Sequence, residues 1–209
     1  MSMPSSVVSG RRLVGVFFAA WLLLSSLTVL WAFATPIAAA PDEPAHLVKA
    51  ASVVRGQLVG PETGPTGTLV QVPQYIAWTH AQTCTAMNDD VTADCLLPVP
   101  GDPAAIVDAR TTAGLYNPLY YALVGWPTLV IGDSSGVYAM RVVSALITSA
   151  FLALSVVLVW SWRRRTLPLI GLGAAVTPMV LFLGGVINPN TLEIAATLSA
   201  FAAVLSIVT

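Results

Sequence analysis

The segment PDEPAH, residues 41–46, sets Asp42, Glu43 and His46 between two prolines, directly after a long uncharged stretch. On a helix, side chains at i and i+4 share a face. Asp42 and His46 can therefore converge, while Glu43 points about a quarter turn away. Such a group can serve as a general base, or contribute to a divalent-metal site without completing its coordination. The plainer alternative is a solvated helix cap. Pro44 suits a first helical turn, and Asp42 or Glu43 suits the N-cap and the positive end of the dipole.

The elements that must position this group are set by composition. Of 209 residues, 56% are hydrophobic and 9% charged. An average soluble domain carries about a quarter charged residues, so this chain has too few to coat a water-facing surface. The bilayer is its natural solvent. The net charge of −1 gives no reason to expect nucleic acid, and no basic cluster suits it.

Spans of about 20 apolar residues are expected at residues 13–35, 142–162, 167–187 and 191–209, the last interrupted by Glu193. Arg11 and Arg12 precede the first, and Arg163, Arg164 and Arg165 join the second to the third. Lys and Arg are enriched in cytoplasmic loops, so residues 1–12 and 163–166 read as inside. Residues 36–141 and 188–190 then read as outside, which puts all ten acidic residues on the outer side. The expected fold is an all-α integral membrane protein. It has about four transmembrane helices and a long extracytoplasmic first loop.

Within that loop, AHLVKAASVVRG has helical spacing, with Leu47, Ala50, Ala51 and Val54 on one face and Gly56 as its stop. Residues 117–131 are apolar but interrupted by Pro118 and Pro127, too short between them to span. With Tyr116, Tyr120, Tyr121 and Trp126, types that collect at the lipid boundary, they read as an interfacial or re-entrant helix. Cys84 and Cys95, eleven positions apart in an exported loop, are expected to form a disulfide. Arg141 sits at the mouth of the second span, where it either snorkels or holds a lipid phosphate. Asn188, Asn190 and Glu193 return polar groups to the same outer face, and ionisable residues at span ends are functional candidates.

Two rival readings are weaker. Ala38-Ala39-Ala40 after an apolar run resembles a cleavable signal, but the run is nearer spanning length than the 7–15 residues of a signal core. An uncleaved helix is expected. GDSSG, residues 132–136, matches the serine box of trypsin-like proteases, but nothing here predicts the β-barrel that would bring His and Asp to it.

PDEPAH after the first span, YNPLYY before the second, YAMRVVSAL opening it and NPNTLEIAA opening the fourth occur in this order. In this the chain resembles a family of multispanning bacterial membrane proteins placed within the GT-C glycosyltransferase superfamily, over residues 13–209. The resemblance implies the bacterial inner membrane, with the N-terminus cytoplasmic. It implies transfer of a sugar from a polyprenyl-phosphate donor at the outer face, with Asp42 as catalytic carboxylate and Glu43 as its companion. It gives Arg141 the donor phosphate and gives Tyr120 and Tyr121 the lipid-side cleft. His46, Asn188, Asn190 and Glu193 are further candidates for substrate. A divalent metal at Asp42, Glu43 and His46 is the candidate cofactor. GT-C proteins have about twice as many spans, so this chain resembles the N-terminal part of a larger protein. The alternative is a non-catalytic membrane subunit or scaffold whose outer loop binds a partner or polymer. No glycine-rich phosphate loop or nucleotide fingerprint suggests ATP.

Overall fold

A computed structural model of the chain describes residues 9–85 and 90–208. Three helices are long and apolar enough to cross a membrane: α1 (Gly10–Ala34), α5 (Ser135–Trp160) and α8 (Pro189–Val208). The pair α6 (Thr166–Ala175) and α7 (Pro178–Gly184) passes the same test jointly but is bent by 60°, which would make a fourth span. Where one unbroken third span was expected, the helix is broken in two, as a bent span or a re-entrant loop. Pro178 explains the break, because it lacks an N–H and pushes the preceding residue out of the helical region. Thr177 is accordingly extended, and its side chain caps α7 by accepting from the Val180 N–H.

α5 also begins seven residues before the expected Val142. Asp133, in the GDSSG segment, accepts from the Ser135 N–H at 2.8 Å and so starts the helix with polar residues. That is the role of this segment: a helix start. α5 packs against α1 on one side and α8 on the other. Small and hydroxylated residues let the backbones approach, as is usual where lipid supplies no hydrophobic drive between helices. Ser155 and Ser199 meet across α5 and α8 at 3.0 Å. A Cβ on Gly185 would come within 2.8 Å of the α1 backbone at Thr28 and Ala32.

The described residues between 35 and 134 form a packed unit around α2 (Glu43–Val53). Only one face of this helix was expected to be buried, yet nearly every residue of it is. Apolar Leu47, Val48, Ala50 and Ala51 are fully enclosed, and so is Lys49. Lys49 tolerates burial because its ammonium donates to the carbonyls of Leu58 and Gly114. Covering α2 are α3 (Gln74–Ala77), α4 (Pro118–Gly125) and an antiparallel pair, β1 (Thr68–Pro73) with β2 (Ile106–Thr111). This sheet is an addition to the expected all-α fold. Its register pairs Val70 with Ala109 and Val72 with Val107. The alternation of a half-buried strand is visible, with Thr68, Val70 and Val72 inward. α4 lies so close to α2 that a Cβ on Gly125 would fall 2.4 Å from the Ala50 carbonyl oxygen. Cys84 and Cys95 are joined as a disulfide.

This unit is fastened to the spans by one ion pair. Arg141 and Glu43 are both fully buried. The Arg141 Nε and Nη2 donate to the two Glu43 carboxylate oxygens at 2.8 and 2.6 Å. The remaining N–H groups go to the carbonyls of Ala32, Thr35 and Pro36. Glu43 Oε1 also accepts from the Ile187 N–H at 3.1 Å. The start of α2, the end of α1, the second turn of α5 and the turn before α8 therefore meet at one point.

Removing one partner of such a pair strands a buried charge, at a cost of about 3–5 kcal/mol. Glu43→Gln and Arg141→Met should each lower the melting temperature of the detergent-extracted chain steeply. The double variant should lose much less than the two losses added, as coupled sites do; simple additivity would show that the pair does not hold the unit. Replacing Cys84 and Cys95 by Ala should cost about 2–3 kcal/mol through the freed loop, read in the same melt.

Candidate functional site

Two Asn-Pro pairs build the candidate site. At the first, Asn117 accepts from the Leu119 N–H at 2.9 Å, and Pro118 opens α4. At the second, Asn188 Oδ1 accepts from the Asn190 N–H at 3.0 Å, and Pro189 opens α8. Proline fits a first helical position because its missing N–H has no partner there anyway. The two helix starts are tied together by Tyr120, whose buried hydroxyl accepts from the Asn188 N–H at 3.1 Å and bonds Ser144 of α5 at 2.9 Å.

Between them lies an open groove of about 640 Å³. Tyr116, Leu119 and Tyr121 line it from one side, and Asn190, Leu192 and Glu193 from the other. Its floor is mixed in character. Leu119, Leu192 and Ala196 offer apolar surface, while Asn190 and Glu193 are exposed polar groups at the start of α8. Tyr120, buried as it is, also contributes to the wall.

Behind the groove stands His46. Its Nδ1 is 2.8 Å from the Tyr121 hydroxyl, and its ring also packs against Tyr116 at a centroid distance of 5.8 Å. Burial lowers the His46 pKa below its ordinary 6.5, and the negative charges of Asp42 and Glu43 oppose that shift without reversing it. His46 is therefore neutral near pH 7. Tyr121 is pushed the other way, chiefly by burial and then by neighbouring Tyr120, Tyr116 and Glu193. Its hydroxyl keeps its proton, so the pair is an uncharged hydrogen bond at the groove wall.

The sequence-predicted residues separate into two sets. Tyr120, Tyr121, Asn190 and Glu193 come together at the groove, with His46 behind Tyr121 and Asn188 capping α8. Asp42 is exposed at the start of α2 in a left-handed conformation, φ 59°, and its carboxylate does not cap the helix. Glu43 and Arg141 are committed to each other, which leaves Arg141 no N–H for a lipid phosphate. Asp42, Glu43 and His46 do not fit a divalent cation: the Glu43 carboxylate is taken by Arg141 and Ile187, and His46 Nδ1 by Tyr121. Among the described residues no group of three His, Cys, Asp or Glu comes together to hold a metal. Sequence reasoning missed Lys49, whose place on a helix between apolar neighbours was the available signal, and read Tyr116 only as a lipid-boundary residue although it lines the groove.

The four segments that stood out in the sequence are thus joined pairwise. PDEPAH reaches YAMRVVSAL through Glu43–Arg141, PDEPAH reaches YNPLYY through His46–Tyr121, and YNPLYY reaches NPNTLEIAA through Tyr120 and Asn188. No curated protein and no solved structure matches the chain. One family model does match, over residues 25–209, and it contains all four segments. The chain belongs to that family, DUF2142, described as a predicted membrane protein.

Proposed function

We propose that the groove between α4 and α8 binds the head group of a polyprenyl-phosphate sugar at the outer face of the bacterial inner membrane, and that the chain, alone or as part of a larger enzyme, takes part in transferring that sugar in cell-envelope assembly. The observation that carries this reading is the meeting of the four segments, the same four on which the resemblance to GT-C glycosyltransferases rests. Hydrogen bonds across more than sixty positions of sequence hold them together, and two of them, YNPLYY and NPNTLEIAA, line the groove.

The groove has the chemistry such a ligand asks for. Asn190, Glu193 and the tyrosine hydroxyls suit the hydroxyls of a sugar, and Leu119, Leu192 and Ala196 suit the first prenyl units. Beside it, Leu115, Leu119, Leu123, Trp126 and Leu129 recur at helical spacing and are all exposed. An apolar stripe rimmed by Tyr116 and Trp126 fits an interfacial helix seated in the outer leaflet, where a membrane-bound donor would arrive.

Asp42 is assigned the proton. It is exposed, uncommitted to the cap, and near enough to His46 for its charge to act there. The acceptor hydroxyl gives its proton to the Asp42 carboxylate as its oxygen bonds to the anomeric carbon. The bond from that carbon to the carrier phosphate breaks, and the polyprenyl phosphate leaves with the electron pair. Arg141 and Glu43 act here as positioning residues, since they fix the start of α2 and the turn before α8.

A positioned base contributes about 10²–10⁴-fold. Asp42→Asn should lower sugar transfer by that amount in membranes supplied with a polyprenyl-phosphate sugar, with the melting temperature unchanged. Full activity in this variant would remove Asp42 from the chemistry and favour the scaffold reading. Glu193→Gln should raise KM for the donor about five- to tenfold and leave kcat within a few-fold, a loss of ground-state binding.

His46 contributes a pH dependence, beside that of His80, whose pKa burial also lowers. The His46 pKa is lowered in the folded chain, so the unfolded chain binds the proton first as pH falls. Stability is full above pH 6.5 and declines as pH drops from there through the lower folded value. Melts taken between pH 7.5 and 5 should show that decline. His46→Gln should flatten it, and an unchanged slope in the variant would place its origin in another group.

A further inference from the structure

The end of the spans away from α2 carries a second polar cleft that the proposed reaction does not use. Ser161, Trp162, Arg163 and Arg164, from the turn after α5, and Ser206, from the last turn of α8, line a cleft of about 820 Å³. The Trp162 indole N–H donates to the Ser206 hydroxyl at 2.7 Å and so ties the two helix ends together. The cleft is built on spans that are themselves fixed by the Ser155–Ser199 contact two turns away.

The three arginines of this turn have different surroundings. Arg165 is committed: its guanidinium lies over the Trp160 ring at 4.6 Å, and Nη1 donates to the Trp160 carbonyl at 3.1 Å. Arg163 and Arg164 are exposed and face the cleft. The negative end of the α5 dipole offsets only about half a charge. Every acidic residue of the sequence lies between Asp42 and Asp133 or at Glu193, so none belongs to this end of the spans. Among the described residues the one ion pair is Arg141–Glu43, at the opposite end. Any anion that pairs with Arg163 and Arg164 has to come from outside these residues.

The surroundings identify its class. Leu167 and Ile170 on α6, which follows the arginine turn directly, are strongly exposed apolar side chains. A free anion would satisfy the arginines and leave that surface bare. A phosphodiester head group with its own acyl chains satisfies both, and basic pockets between spans are suited to it. Arginine also suits phosphate geometrically, because its planar fork can donate two parallel hydrogen bonds.

We propose that Arg163 and Arg164, with Trp162 and Ser206, form a binding site for the phosphate of an anionic phospholipid at the membrane face opposite the α2 unit. The site is separate from the α4–α8 groove and does not depend on its function.

The test is a lipid titration of the purified chain in neutral detergent, read as the rise in melting temperature. Dioleoylphosphatidylglycerol should raise it saturably, while dioleoylphosphatidylcholine and inorganic phosphate should not. Each basic residue at a membrane surface is worth about fivefold in affinity, so Arg163→Gln with Arg164→Gln should weaken the phosphatidylglycerol effect about 25-fold. Arg165→Gln should stay within about twofold, since that side chain is spent on Trp160. The Arg163→Lys, Arg164→Lys variant keeps the charge that orients the chain in the membrane. It should weaken binding by less than the glutamine pair. Equal responses to the two lipids would overturn the proposal. So would an Arg165→Gln loss as large as the double variant's, or a rise given by inorganic phosphate alone.

Discussion

The Arg141 guanidinium is sealed from water, and the rest of the structure is arranged around that constraint. A buried guanidinium is tolerable only when its hydrogen-bond donors and its charge are all met. Here Glu43 supplies the charge and two acceptors, and three carbonyls from the end of α1 supply the others. Each acceptor comes from an element whose position is thereby fixed relative to α5. The Ile187 N–H, which shares the Glu43 carboxylate, adds the turn before α8. A cleft formed between the starts of α4 and α8 inherits its width from this junction.

The same logic explains why α2 can be a central helix although it carries Glu43, His46 and Lys49. Each of these has a partner inside the unit: Arg141, Tyr121, and the carbonyls of Leu58 and Gly114. Once paired, they let α2 be enclosed on all sides, and its apolar residues form the core shared by the sheet, α3, α4 and the start of α5. Asp42, one residue before the helix, is the acidic group of PDEPAH left at the surface. Adjacent carboxylates thus have opposite fates, one holding the fold and one exposed at the surface.

Much of the architecture is legible in the sequence where a single physical signal decides it. Hydropathy and length locate α1, α5 and α8, and Asn-Pro marks the starts of α4 and α8. What hydropathy hides is a helix that begins with polar residues, as α5 does at Ser135, because Asp133 and Ser134 read as loop. The bend at Thr177–Pro178 was visible as a proline but lay inside a run apolar enough to pass as continuous. The β1–β2 pairing was out of reach because 32 residues separate the strands, and no turn signal announces so distant a partner. At the site, residue types pointed to Tyr120, Tyr121, Asn190 and Glu193. The choice between Asp42 and Glu43 as the buried carboxylate depended on where Arg141 would land, and that is a property of the packed chain.

The measurement that bears most directly on the central claim is photo-crosslinking with a polyprenyl-phosphate sugar carrying a diazirine near its phosphate, followed by peptide mapping. The account predicts that label concentrates in residues 115–121 and 189–196 and is displaced by unlabelled donor. Label spread over the lipid-facing residues of α1, with none displaced from the groove, would contradict it.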